Sequence, residues 1–223
     1  MKLLEQDLHG ALIYYVFKKM QSLPTCKFCK RITKNFVKLQ TLYPSYENQP
    51  ILPIGMKTSK ICIVGLAPGL HGANKTGEPF NGDFSGNLLN KVLNKHKLTL
   101  KRGSHNYKSI YITNAVKCYP PNNMPTLTEI KNCQVHLIRE FNDLKHLKII
   151  IALGHIAHTA VLRAFSLKLS LYPFSHGKIY KINSSKYLLD SYHCSKININ
   201  SKRLDLESLS MVFKVAREMA YIR

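Results

Sequence analysis

Four short apolar segments occur along the chain, and each has the length of a β-strand. They span residues 60–66, 110–116, 149–153 and 187–191. Segments with the 3.6-residue periodicity of amphipathic helices follow them, at residues 86–95, 126–144, 155–165 and 206–222. Alternating strands and helices are typical of a parallel sheet covered by helices on both faces. We therefore predict an α/β fold, a three-layer sandwich with a central, mainly parallel four-stranded sheet.

The rest of the chain adds a helix but no second domain. Leu4, Leu8 and Leu12 lie near helical spacing, and Pro24 ends the helix that they predict. A chain of 223 residues has the size of one domain with a substantial core, so we predict a single domain over residues 1–223. The first twenty residues include acids that a signal peptide would lack, and the sequence holds no apolar run of membrane-helix length. We expect a cytoplasmic monomer.

The charge of the chain is strongly one-sided. Lys and Arg number 33 against 12 Asp and Glu, a formal net charge of +21. This excess exceeds what solubility requires and suits a polyanionic partner such as nucleic acid. The alternative is a compositional bias, because lysines are scattered through nearly every segment. Charge alone leaves both interpretations open.

Six cysteines in a chain of this length indicate metal or redox chemistry rather than a disulfide framework, given a cytoplasmic location. Cys26 and Cys29 form a C-x2-C pair, and Cys118 and Cys133 form a second, wider pair. Four thiolates can bind zinc or an iron–sulfur cluster, and their spacing does not choose between the two. Cys62 lies in an apolar segment and is predicted to be a core residue.

The first segment is followed by an unusual glycine-rich loop. Ligands of open parallel sheets bind beyond the carboxyl ends of the strands, so the residues after each strand carry the functional signal. The loop at residues 65–83 reads GLAPGLHGANKTGEPFNGD and contains five glycines, which permit a close backbone approach to a ligand. Residues 69–76 nearly fit a phosphate-binding P-loop. Asn74 replaces its second glycine, however, and Pro79 interrupts the helix that should follow, so nucleotide hydrolysis is disfavoured.

The residues that follow three of the four predicted strands, which we call strand exits, resemble the motifs of one family. The glycine-rich loop is similar to the first motif of the uracil-DNA glycosylase superfamily, in its iron–sulfur type 5 or B class, with Lys75 and Glu78 in place of the usual arginines and Asn81 in place of threonine. Residues 113–123, TNAVKCYPPNN, resemble the family's N-x-V-K-C-x-P-P-x-N segment. Residues 191–196, SYHCSK, resemble its closing S-x-H-P-S motif, with Cys194 at the place of the proline.

This resemblance implies a DNA repair hydrolase that flips uracil, and related damaged bases, out of double- or single-stranded DNA and removes them. It implies three catalytic residues: Asp83, which orients water, Asn114, and His193, which donates to the leaving base. It places the base among Gly65, Ala67, Pro68, Gly69, Phe80, Asn114 and His193. It assigns DNA contacts to Lys75, Ser195, Lys196 and Arg203. Finally, it implies a [4Fe–4S] cluster on Cys26, Cys29, Cys118 and Cys133.

Structural explanations exist for several of these residues. Asp83 precedes a predicted helix and is a candidate N-cap, and Phe80 is a candidate core residue. His193 is one of ten histidines. Two alternative functions follow. The chain is either a catalytically silent module of the same fold that binds damaged DNA, because Cys194 would loosen the turn that holds His193, or a zinc-bound nucleic-acid adaptor without a pocket.

Overall fold

The computed structural model describes residues 22–99 and 110–221. The helix predicted before Pro24 lies outside these residues. The described helices are α1 (Lys30–Leu42), α2 (Ala73–Thr76), α3 (Phe84–Lys95), α4 (Leu127–Asp143), α5 (His155–Ala164), α6 (Lys196–Asn200) and α7 (Leu206–Tyr221). The described strands are β1 (Ile54–Gly55), β2 (Ile61–Gly65), β3 (Ile110–Asn114), β4 (Ile149–Leu153), β5 (Ile179–Lys181) and β6 (Tyr187–Ser191). No helix in these two ranges is long and apolar enough to cross a membrane.

The strands form one mixed, mostly parallel sheet. Its order is β1-β3-β2-β4-β6-β5, and the four strands predicted from the sequence are its parallel centre. The prediction of four strands is wrong in number, because β1 and β5 add an antiparallel strand at each edge and give six. These edge strands have two and three residues, partly exposed, which is too short for a periodic signal in the sequence.

Helices pack on both faces of the sheet. Side chains alternate between the faces of a strand, so Ile61 and Ile63 of β2 join one buried cluster and Cys62 and Val64 join another. The first cluster contains buried residues of α3 and α7, and the second contains residues of α4 and α5. The central strands are therefore covered on both sides, which explains their almost unbroken apolar sequences.

The topology brings three strand exits together. Gly65 at the end of β2 pairs with Asn114 at the end of β3. Leu153 at the end of β4 pairs with Ser191 at the end of β6. Because β4 also pairs with β2, the loops that follow Gly65, Asn114 and Ser191 leave the same edge of the sheet. The candidate functional residues lie in these loops.

Candidate active site and cysteine cavity

A pocket of about 240 Å³ opens at this edge of the sheet. It is lined by residues that the sequence predicted for the site: Ala67, Pro68, Gly69, Phe80, Asp83, Asn114, His193 and Ser195. Four further lining residues were not among those predictions: Leu66, Ala73, Ser85 and Asn123. Asn123 has a left-handed backbone with φ of 57°, and its position at the end of the PPNN sequence was the available signal, because asparagine tolerates this conformation.

Asn114 presents an unsatisfied acceptor. Only 4% of the residue is exposed, and its side-chain Oδ1 finds no hydrogen-bond partner among the described residues. Gly65 lies against it: a Cβ on Gly65 would stand 2.3 Å from Oδ1 of Asn114 and 2.6 Å from the Phe80 ring. Glycine at this position therefore leaves the space that the Asn114 amide occupies. A buried polar atom without a partner costs free energy, so it marks a place for a ligand or a water.

The two oxygens of the Asp83 carboxylate have different surroundings. Oδ1 accepts a hydrogen bond of 2.8 Å from the Gly86 amide and caps α3, so the N-cap interpretation is confirmed. Oδ2 lies beside Gly69 and Gly72, where a Cβ on Gly72 would approach it to 2.3 Å. The cap fixes the carboxylate beside the pocket and leaves Oδ2 as the oxygen for chemistry. The catalytic role of Asp83 stays a prediction.

His193 and Phe80 stand side by side in the pocket. Their ring centroids are 6.2 Å apart, with an angle of 31° between the planes. Phe80 belongs to the buried core as well as to the pocket and has a strained backbone with φ of 54°. Burial lowers the pKa of His193, and the nearby Asp83 carboxylate offsets part of this effect. Near neutral pH the imidazole is therefore uncharged, with one N–H to donate.

The turn after His193 is well supported despite the cysteine. Cys194 is fully buried, and its thiol donates to the Ser85 carbonyl at 3.5 Å. The Asn198 amide group donates to the carbonyl of His193 at 2.7 Å. The hydroxyl of Ser195 caps α6 by accepting from the Asn198 backbone N–H. These contacts support the turn locally, and its loosening by Cys194 stays a prediction.

Of the predicted DNA-contact residues, Ser195 lines the pocket and the three basic ones face solvent. Lys75, Lys196 and Arg203 are all exposed. The Arg203 guanidinium lies 5.9 Å from the centre of the Tyr192 ring, next to His193 in the chain. Ile197 follows Lys196 on α6 and is 78% exposed, which is unusual for isoleucine. The sequence prediction did not include this exposed apolar side chain.

The four predicted cluster ligands meet in a second, narrow cavity. Cys26, Cys29, Cys118 and Cys133 all line it, and we call this site the cysteine cavity. Burial raises the pKa of Cys118, and the neighbouring cysteines raise it further. Burial also raises the pKa of Cys133 to about 12. Burial therefore favours the protonated thiol at Cys118 and Cys133, whereas cluster binding would stabilise their thiolates. Cys62 is fully buried in β2 and is a core residue, as predicted.

Donors surround the sulfur atoms of this cavity. The Lys117 backbone N–H donates to Sγ of Cys133 at 3.2 Å, and the Asn132 amide reaches Sγ of Cys29 at 3.8 Å. Nε2 of His136 lies 3.4 Å from Sγ of Cys26. Among the described residues, however, no group of three or more Cys, His, Asp or Glu side chains has the geometry of a site for a single metal ion.

A row of buried polar residues on α4 was missed by the sequence analysis. Glu129 forms an ion pair with Arg31 at 2.7 Å, and Glu140 forms one with Lys117 at 2.8 Å. With Cys133 and His136 they occupy positions 129, 133, 136 and 140, a helical spacing of four, three and four residues. The sequence signal for these buried residues was their helical spacing relative to the predicted ligand Cys133, which places them on the same face of α4.

The chain belongs to the uracil DNA glycosylase superfamily, since the family model matches residues 52–217. Among its relatives, a type-5 uracil-DNA glycosylase of Thermus thermophilus is 35% identical over 211 residues, 90% of this chain and 96% of the relative. A type-5 uracil-DNA glycosylase of Pyrobaculum aerophilum is 35% identical over 204 residues, 87% of this chain and 88% of the relative. A type-4 uracil-DNA glycosylase of Archaeoglobus fulgidus is 33% identical over 130 residues, 58% of this chain and 60% of the relative.

Proposed function

We propose that this protein is a uracil-DNA glycosylase of DNA repair, which hydrolyses the bond between a flipped base and its sugar. The observation that carries the proposal is Asn114, which lines a pocket of about 240 Å³ and whose buried side-chain Oδ1 lacks a partner among the described residues. Asp83 and His193 line the same pocket, and all three lie in the loops by which the family is recognised. Base-excising enzymes need such a pocket for an extruded nucleotide.

The residues of the pocket divide the reaction between them. Water adds its oxygen to C1′ of the sugar while the bond from C1′ to the base breaks, and the base leaves with the bonding electron pair. Oδ2 of Asp83 orients the water and stabilises positive charge on the sugar, while Oδ1 stays in the cap of α3. The N–H of neutral His193 donates to the oxygen of the leaving base, whose negative charge grows in the transition state. The departing base finally takes up the proton that the water releases.

The base is held by stacking and by the Asn114 amide. Phe80 exposes part of its ring to the pocket and offers a surface for a base. Stacking of a base on an aromatic ring contributes about 1–3 kcal/mol. The Asn114 amide contributes both a donor and an acceptor to the base edge or to the attacking water. Each of these groups lies on a different strand exit, so the parallel sheet is what assembles the site.

The product is an abasic site, and the DNA strand is not cut. A glycosylase that also cuts the strand uses an amine to form a Schiff base with the sugar. None of the described residues that line the pocket is a lysine. Borohydride treatment of the enzyme with uracil-containing DNA should therefore trap no covalent complex, and a trapped complex would contradict this step.

DNA binding depends on the basic residues at the rim. Lys75, Lys196 and Arg203 face solvent and bind phosphates, together with Ser195 at the mouth of the pocket. The exposed Ile197 is placed to enter the base stack, since apolar side chains of DNA-bending proteins separate neighbouring bases in this way. The substrates are uracil and other deaminated or damaged bases in DNA.

The cysteine cavity fits a [4Fe–4S] cluster held by Cys26, Cys29, Cys118 and Cys133. Four thiols around one cavity form the donor set of such a cluster. When bound, such a cluster can transfer electrons or cross-link its ligands. Base hydrolysis transfers no electrons, so cross-linking is the relevant property. The four cysteines would join the segment before α1, the β3 exit and α4.

Single-turnover release of uracil from a duplex, with enzyme in excess, tests the proposal. Replacing Asp83, Asn114 or His193 by alanine should lower the rate by roughly 10- to 1,000-fold, or about 1.4–4 kcal/mol of barrier, while affinity for uncleavable DNA stays nearly unchanged. Phe80→Ala should weaken binding as well, because stacking acts before and during the reaction. Wild-type rates in all three alanine variants would contradict the site. Binding without release by the wild type would identify a silent damage-binding module.

A further inference from the structure

Lys117 is an almost completely buried lysine next to the catalytic asparagine. Only 1% of the residue is exposed. Its ammonium donates to the hydroxyl of Thr113, to the backbone carbonyl of Asn114 at 2.7 Å and to Oε2 of Glu140 at 2.8 Å. An ammonium has three N–H donors, so these three acceptors use all of them. The group therefore has a defined orientation rather than the mobility of a surface lysine.

Such an arrangement is costly if stability is its only purpose. Removing two charges from water costs several kcal/mol per ion, and buried ion pairs can often be replaced by apolar residues without loss of stability. Glu140 on α4 compensates the charge of Lys117, but an apolar pair would fill this space as well. The arrangement differs from an apolar pair in one respect, because it directs a hydrogen bond to the peptide of Asn114.

The Asn114 side chain depends on its backbone for its orientation. Its Oδ1 has no partner in the described part of the chain, so no hydrogen bond at that oxygen holds it. Close packing against Gly65 and Phe80 constrains it, and this packing is sensitive to the position of the Asn114 backbone. A misplacement of about 1 Å in a catalytic group can lower a rate 100-fold. The bond from Lys117 to the Asn114 carbonyl helps to fix that position, in addition to the pairing of Asn114 with Gly65 in the sheet.

Helix α4 holds Lys117 at both ends. The backbone N–H of Lys117 bonds to Cys133, and its ammonium bonds to Glu140, two helical turns further along α4. We infer that Lys117 and Glu140 are positioning residues. Through their ion pair, α4 holds the Asn114 backbone, and with it the Asn114 amide, in place in the pocket. This inference rests on the proposed role of Asn114. Neither residue touches the substrate, so both act through Asn114.

The decisive variant replaces the ion pair by an apolar pair, Lys117→Met with Glu140→Leu. It leaves no buried charge unpaired, and its melting temperature should stay within a few degrees of the wild type. Single-turnover release of uracil should nevertheless fall at least tenfold, with binding to uncleavable DNA changed by less than threefold. Arg31→Met is the matched control, because it removes another ion pair to α4 and leaves the Asn114 peptide untouched. Its release rate should stay within twofold of the wild type.

A second comparison separates positioning from a general structural effect. In the Asn114→Ala background the Lys117→Met/Glu140→Leu pair should cause less than a twofold further loss of rate, since no amide remains to be positioned. A tenfold further loss, or a wild-type rate in the double variant alone, would overturn the inference. If Asn114→Ala itself released uracil at the wild-type rate, the proposed function of Asn114 would fail instead. If the double variant does not fold, Lys117→Met alone removes the hydrogen bond to the Asn114 carbonyl, and a rate of uracil release unchanged by it would overturn the inference.

Discussion

The pocket and the cysteine cavity are lined by residues only two positions apart on the β3 exit, Asn114 and Val116, but their buried polar atoms differ in hydrogen bonding. In the pocket residue Asn114, the buried side-chain Oδ1 has no hydrogen-bond partner among the described residues. In the cysteine cavity, donors from Lys117 and Asn132 are already directed at the sulfurs. An unsatisfied acceptor suits a ligand that enters and leaves, whereas donors to sulfur stabilise thiolates of a permanently bound group.

A thin layer separates the two regions. Ala67 lines the pocket and also packs against the apolar cluster that includes Cys133 and Cys118. Lys117 lies between Asn114 and Cys118 in the chain and contacts residues of both regions. These contacts connect the cysteine cavity with the pocket. The following predictions test this division, beginning with the largest expected effect.

The largest effect should come from removing a cluster ligand. Cys133→Ser should abolish bound iron and the brown iron–sulfur absorbance of the purified protein, because one of four thiolate ligands is lost. Cys62→Ser is the control, since Cys62 is equally buried but belongs to the core behind β2. Iron content and visible absorbance should be measured for both variants. If Cys62→Ser bleaches the protein and Cys133→Ser does not, the ligand assignment is wrong.

The next effect concerns the space between Gly65 and Asn114. Gly65→Ala would bring a methyl group to 2.3 Å from Oδ1 of Asn114 and 2.6 Å from the ring of Phe80, so both side chains must move. We expect uracil release to fall roughly 10- to 100-fold, about 1.4–2.7 kcal/mol of barrier, and iron content to stay unchanged. Gly177→Ala is the control, because its positive φ of 76° strains an alanine without any atom nearby. Equal rates for the two variants would remove the assigned role of Gly65.

A smaller effect should follow from the basic rim. Each phosphate neutralised contributes roughly −0.9 to the slope of log affinity against log salt for duplex DNA, which is about fivefold in affinity at 0.15 M salt. Lys75→Ala, Lys196→Ala and Arg203→Ala should each lower affinity by about this factor and make the slope shallower. Lys57→Ala, which removes an exposed ion pair with Asp143, is the control. A slope unchanged by the triple alanine variant would contradict this DNA face.

The family and the main site residues were predictable because parallel strands end at one edge. The loops after β2, β3 and β6 carry contiguous motifs, and the family match confirms the resemblance drawn from them. The convergence of Asp83, Asn114 and His193 on one pocket follows from the same topology. Their catalytic roles remain predictions, since a pocket without a bound base shows proximity and not chemistry.

Other features depend on contacts that no local pattern encodes. Glu140 bonds to Lys117 across 23 residues of chain, and the Asn114 amide lies against Gly65 because β2 and β3 are paired in this register. Cys194 looked disruptive in a motif that usually has proline, yet it is satisfied by the distant Ser85 carbonyl. Such compensations become visible only in three dimensions.

The smallest predicted effect is the pH dependence caused by His193. Burial lowers its pKa in the folded protein, whereas in the unfolded chain the pKa is about 6.5. Above that pH both states carry a neutral imidazole, and the full contribution to stability is present. As the pH falls below about 6.5, the unfolded chain binds the proton more readily than the folded protein. The free energy of unfolding must then decrease, by at most about 1.4 kcal/mol per pH unit from this group, until the lowered pKa is passed.

His193→Gln should remove this contribution, so the variant should lose less stability than the wild type between pH 7 and pH 5. Asp83→Asn should act in the opposite direction. The carboxylate raises the pKa of His193, and its loss lowers that pKa further and extends the acid-sensitive range. Urea unfolding at several pH values measures all three proteins, and other titrating groups cancel in the differences. Parallel curves for the wild type and His193→Gln would mean that His193 titrates alike in the folded and unfolded chain. The desolvation of the imidazole, from which the uncharged, donating state of His193 was inferred, would then be wrong.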